Sequence, residues 1–172
     1  TNKMADYKKL IPFILRWEGG FANDPADRGG ATMKGITIGT FTTYRKSKGK
    51  PTPTVTDLKN ISDQEWGDVF KSLFWDKWCA DNIKSQSIAN ILVDWVWASG
   101  KYGITIPQRI LGVAQDGVVG PKTLEALNAR DADKLFAQLK QARINFVETI
   151  VKRNPSQKKF INGWKRRIYA IL

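Results

Sequence analysis

One glutamate, Glu18, stands between Trp17 and the pair Gly19-Gly20 in the stretch RWEGGFANDPADRGGATMKGIT, residues 16 to 37, and two aspartates, Asp24 and Asp27, follow it. Upstream, Leu10, Ile11, Phe13, Ile14 and Trp17 recur at three- and four-residue spacing, which predicts an amphipathic helix from Asp6 to Trp17 that the two glycines stop. Glu18 therefore falls at a helix C-terminus, where unpaired carbonyls concentrate partial negative charge. Trp17 and Phe21 would exclude water from it. Both effects favour the protonated carboxyl, and a carboxyl that keeps its proton can hand it to a leaving oxygen as a general acid.

Glycoside hydrolysis by such an acid needs a second carboxylate across the scissile bond, as base or nucleophile. On a straight helix the nine residues from Glu18 to Asp27 would span roughly 13 Å. A glycine-rich turn instead makes it possible for Asp27 to come back opposite Glu18. Gly29, Gly30 and Gly35 would let the backbone approach a sugar chain, and Thr32 or Thr37 could hold a water or a sugar hydroxyl. The same aspartates also suit Asx turns that merely close the loop, the better reading for Asp24 beside Pro25.

Composition removes most other chemistries. Histidine is absent, so histidine triads, histidine proton shuttles and the usual His-containing zinc sites are excluded. The single cysteine, Cys79, leaves no internal disulfide. Acid–base work falls to carboxylates, and no metal or cofactor is implied. Lys and Arg outnumber Asp and Glu by 28 to 16, a net charge of +12, which points to an anionic partner. Nothing approaches the roughly 18 consecutive apolar residues of a membrane span, and TNKMADYKKL lacks the features of a signal peptide.

The elements that must position these residues read as mostly α, with at most a small β element near residues 31 to 41. The basic, proline-broken YRKSKGKPTPTVTD reads as a mobile loop. Ser62 and Glu65 form a capping box before Trp66, Val69, Phe70, Leu73 and Phe74. SIANILVDWVWASG, apolar almost all round, predicts a buried central helix at about residues 87 to 98. A short helix begins at PQRILGV, QDGVVGP turns, Pro121 starts another helix, and Asp131 caps a longer one reaching Lys152. QKKFINGWKRRIYAIL closes the chain as a basic, aromatic helix.

WEGGFANDPADRGGATMKGIT closely resembles the N-terminal signature of family-108 glycoside hydrolases, phage-type N-acetylmuramidases that cut peptidoglycan. The order Glu18, Asp27, Thr32 is also similar to the Glu, Asp, Thr catalytic pattern of phage lysozymes, with the last gap one residue shorter here. VDWVWASG resembles a family segment running from an Asp to Asn-x-Gly; Asp94 and Gly100 match and Ala98 replaces the Asn. QRILGVAQDGVVGPKTLEAL resembles the family's C-terminal peptidoglycan-associated region. The resemblance implies a lysozyme-like fold with a catalytic region over 1–100 and a helical wall-associated region over 101–172, packed as one unit. It implies Glu18 as general acid, with Asp27 and Thr32 as further catalytic residues.

On that reading Gly30, Thr37 and Asp94 line the substrate, although Asp94 on a buried helix also suits a structural carboxylate bonded to backbone amides. The partner is the peptidoglycan glycan strand, met by a monomer. The site of action is the bacterial cell wall, reached from the cytoplasm in a phage or prophage lysis setting. Three alternatives stand beside it: a nucleic-acid-binding protein using the seven basic residues of 152 to 167, a wall-binding protein without catalysis, and a lytic transglycosylase.

Overall fold

The computed structural model describes residues 3–26 and 29–172. Asp27 lies outside the described residues. The fold is mostly α, and the chain divides into two compact units, one of Tyr7–Asp76 and one of Thr1–Asp6 with Lys77–Leu172.

In the Tyr7–Asp76 unit, helix α1 (Tyr7–Trp17) buries Leu10 and Ile14, as the spacing predicts. Three two-residue strands follow, β1 (Phe21–Ala22), β2 (Thr32–Met33) and β3 (Ile36–Thr37), in an antiparallel sheet of order β1-β2-β3. Lys34 and Gly35 alone join β2 to β3, with φ of 49° and 83°. Two positive φ angles in a two-residue loop make the primed turn whose twist matches paired strands. Trp66 Nε1 donates to Lys34 O at 3.1 Å, fixing the hairpin tip to the helix of Asp63–Phe70.

Helix α2 (Ile38–Ser47) begins directly after β3, then come α3 (Val55–Lys59) and α4 (Asp63–Phe70). The expected mobile loop is therefore shorter than its composition suggests, for α2 runs through Tyr44–Ser47 and α3 starts at Val55. The full capping box belongs to α3: the Thr54 side chain accepts from Asp57 N, and Asp57 accepts from Thr54 N. At α4 only half forms. Ser62 accepts from Glu65 N, but Arg45 takes the Glu65 carboxylate with two hydrogen bonds of 3.0 and 3.1 Å. A bidentate guanidinium contact outcompetes a single backbone N–H.

In the other unit, α5 (Gln86–Ser99) is the central helix, with Ile91 to Val96 buried without interruption. Helix α6 (Tyr102–Leu111) starts five residues earlier than PQRILGV suggests, so Pro107 lies inside it. Proline cannot donate to the carbonyl four residues back, which is that of Gly103. Trp78 Nε1 donates to Gly103 O instead, at 3.0 Å. Gly103 also lets α6 press onto α5, because a Cβ there would lie 2.6 Å from Val96 N and 2.7 Å from Trp95 C.

Helix α7 (Pro121–Asn128) and the 22-residue α8 (Ala132–Arg153), capped by Asp131, follow as the sequence predicts. The closing segment is split: Pro155–Phe160 is a 3₁₀ turn and α9 covers Ile161–Ala170. Trp75, Trp78 and Trp95 are fully buried and belong to the core, leaving Trp97 half-buried.

Candidate active site

Glu18 comes directly after α1, and its N–H donates to Leu15 O at 3.3 Å as the helix ends. Its side chain is partly buried. Trp17, the last helical residue, tilts against Phe13 at 6.3 Å, carries the Arg16 guanidinium 5.8 Å from its ring, and buries Nε1 without a hydrogen-bond partner. Phe21 opens β1 with the Lys59 ammonium 5.5 Å from its ring. The helix-end placement between aromatics is thus as the sequence predicts.

Gly19 and Gly20 link Glu18 to the sheet. Neither has a positive φ, and a Cβ on either would meet nothing within 4 Å. Among the described residues there is room for side chains at both positions, while Gly20 O accepts from Lys34 N at 3.4 Å. Gly30 and Gly35 differ, for φ angles of 71° and 83° tie them to turn geometry.

The sheet sets one row of side chains from this point. Ala22 pairs with Thr32 and Thr32 pairs with Thr37. Directly opposed residues project to the same face, so the structure brings Thr32 and Thr37 together. Their hydroxyls are used differently. Thr37 caps α2, accepting from Thr40 N at 3.1 Å and donating to Thr40 Oγ1 at 3.0 Å. The Thr32 hydroxyl makes no hydrogen bond with a described residue. Asp24 accepts from Ala26 N at 2.9 Å, the Asx turn expected beside Pro25.

Asp94 belongs to the other unit and is fully buried. Its partners are two arginines rather than backbone amides. Arg167 donates from Nη2 to Oδ1 at 2.7 Å and from Nε at 3.3 Å, and Arg143 Nη1 lies 2.7 Å from Oδ2. The Arg143 contact is an ion pair without hydrogen-bond alignment, since that Nη1 has no accepted bond. Burial pulls Arg143 below the usual arginine range while Asp94 opposes the shift. It stays charged all the same.

Sequence reading missed this pairing, although Arg143 sits four residues after Leu139 and eight after Leu135, both buried on α8. An arginine on a core stripe and an aspartate in an all-apolar helix are the two halves of one signal. It also missed Gln108, fully buried, which donates to Asp116, Val118 O and Thr123 and accepts from Gly117 N.

Among the described residues no cluster of three or more Cys, Asp or Glu side chains could hold a metal ion. The chemistry on offer is that of a partly buried carboxyl at a helix end, with the Thr32 hydroxyl carried by the sheet that follows.

The sequence pattern of Glycosyl hydrolase 108 matches residues 11–100, more than half of the chain. The chain belongs to glycosyl hydrolase family 108. A second pattern, "Predicted Peptidoglycan domain", matches residues 102–169 of this family-108 protein. Among solved structures, SagA of Brucella abortus is similar over 96% of this chain and 94% of that one, with a TM-score of 0.73 and 26% identity. No curated protein matches. The family-108 chain is thus a glycosidase with a mostly α, lysozyme-like fold, whose activity belongs to peptidoglycan breakdown at the cell wall.

Proposed function

We propose that this glycosidase is an N-acetylmuramidase that hydrolyses the β-1,4 bond between N-acetylmuramic acid and N-acetylglucosamine, with Glu18 as general acid. The observation that carries the proposal is the placement of Glu18: partly buried, at the end of α1, and followed by two glycines that the local packing does not demand. A carboxyl so placed can reach the glycosidic oxygen of a strand lying along the open backbone. It gives up its proton as the C–O bond breaks through an oxocarbenium-like transition state.

Asp27 is the candidate for the carboxylate that activates water or attacks the sugar, and the unpaired Thr32 hydroxyl is suited to hold that water. Thr37, engaged at the α2 cap, and Gly30, committed to its turn, shape the strand-facing surface. We assign the catalytic region to 1–100 and the wall-associated region to 101–172. Asp94, enclosed by arginines, supports the fold around α5 rather than a sugar.

Glu18→Gln tests the proposal on purified peptidoglycan, with reducing ends counted and products weighed by mass spectrometry. General-acid removal costs roughly 100-fold or more. A variant that clears peptidoglycan at the native rate overturns the role of Glu18. Anhydro-sugar products from the native protein would mark a transglycosylase. Binding to walls without any release of reducing ends would mark a non-catalytic binder.

A further inference from the structure

In the unit containing Lys77–Leu172, the end of α5, one face of α6 and the C-terminal half of α8 line an open cavity of about 740 Å³. Its wall combines Tyr102, Thr105, Arg109, Asn145, Phe146 and Arg153, with no acidic residue anywhere in the lining. Arg109 uses Nε to donate to the Gln115 side chain at 3.2 Å, and neither arginine has an acidic partner among the described residues. Tyr102 is 60% exposed and leans on Phe146 with ring centroids 5.4 Å apart.

A second cavity, of about 230 Å³, shares Ala98, Ser99, Phe146 and Ile150 with the first and is also lined by Arg143 and Arg167. There two guanidinium groups face one carboxylate, that of Asp94. The pair of cavities thus carries four arginines and, in Asp94, one acid set against them. Excess positive charge with low-dielectric walls draws anions, and a planar guanidinium fork suits a carboxylate. The apolar and aromatic wall suits a ligand with small hydrophobic groups beside its charge.

We propose that this cavity binds the peptide stem of peptidoglycan, with Arg109 and Arg153 receiving its free carboxylates and Tyr102 and Phe146 supporting its backbone. The inference rests on the peptidoglycan reading above and adds to it a binding site that does not include Glu18. A nucleic acid would also meet arginines, but a concave pocket lined by isoleucines and alanines between helices fits a short peptide better than a phosphate backbone track.

Calorimetric titration of the full chain tests it with three probes: a soluble stem peptide bearing free carboxylates, the same peptide amidated at its carboxylates, and a single-stranded DNA oligonucleotide. The expected result is binding of the first alone, weakened about tenfold by Arg109→Ala and again by Arg153→Ala. Melting temperature and the rate of cleavage of peptide-free glycan should stay at the native level. Equal binding by the double variant, no effect of amidation, or preference for the oligonucleotide overturns the site. A native protein that cleaves glycan but binds no stem peptide overturns this inference alone. One that binds stem peptide but releases no reducing ends overturns the proposed function and leaves the site standing.

Discussion

The Asp94 carboxylate cannot leave its arginines without a large cost. Asp94→Asn keeps the shape but removes the negative charge that two guanidinium groups face, Arg143 nearly buried and Arg167 mostly so. Breaking a buried ion pair costs about 3–5 kcal/mol, to be read as a lower midpoint in urea unfolding. Gln108→Leu should cost about 1–3 kcal/mol for a similar reason, because Gly117 N and the other groups gathered by Gln108 lose their buried partner. Of the two, only Gln108 looked ordinary in the sequence. The helix-end placement of Glu18 was legible there because its cues are local: a helix period, two glycines and flanking aromatics. Asp94 was half legible, since its buried helix was evident but its partners lie 49 and 73 residues away. No spacing rule reaches that far. The cap role of Thr37 went unread for a different reason: a strand-end threonine beside a glycine-rich turn is equally an N-cap, and its hydroxyl caps α2.

At the scale of elements, the crossing of α5 and α6 depends on one missing methyl group. Gly103→Ala would drive a Cβ into the backbone at Val96 and Trp95, which no rotamer change can relieve. Overpacking of this kind costs about 1–3 kcal/mol, and thermal melting should show a loss at the upper end. Helices α1, α5, α7 and α8 were readable because each carries a full signal of period, cap or breaker. Helix α6 was shortened in the reading by Pro107, which stops a helix only when the freed carbonyl finds no other donor. Here Trp78 supplies that donor from outside the helix. Helix α2 was hidden because its Thr-, Arg- and Lys-rich sequence has only Phe41 and Tyr44 buried, too short an apolar stripe to show a period.

For the molecule as a whole, the +12 charge should make wall degradation fall with salt. Raising ionic strength from about 0.01 M to about 1 M shortens the screening length from roughly 30 Å to 3 Å. Clearance of purified walls should slow across that range, while cleavage of a short uncharged glycan should not. Stability should also fall in acid. Hydrogen bonds from Val118 N and Gln108 hold the Asp116 carboxyl below the usual carboxylate range, and Thr54 does the same for Asp57. A carboxylate with a depressed folded-state pKa stabilises the fold above its unfolded value, near pH 4, and that stabilisation fades as pH drops through the lower folded value. Melting temperatures followed downward from pH 5 should decline below about pH 4, and less steeply in Asp116→Asn. Two donated indoles provide a finer gauge of cooperativity. Trp66 gives its ring proton to Lys34 O within the Tyr7–Asp76 unit, and Trp78 gives its own to Gly103 O within the other. Each proton exchanges with deuterium through openings within its own unit. Two resolved indole signals in one spectrum therefore clock the two openings separately: matching rates mean the chain melts as a single block, and diverging rates mean one half breathes while the other holds.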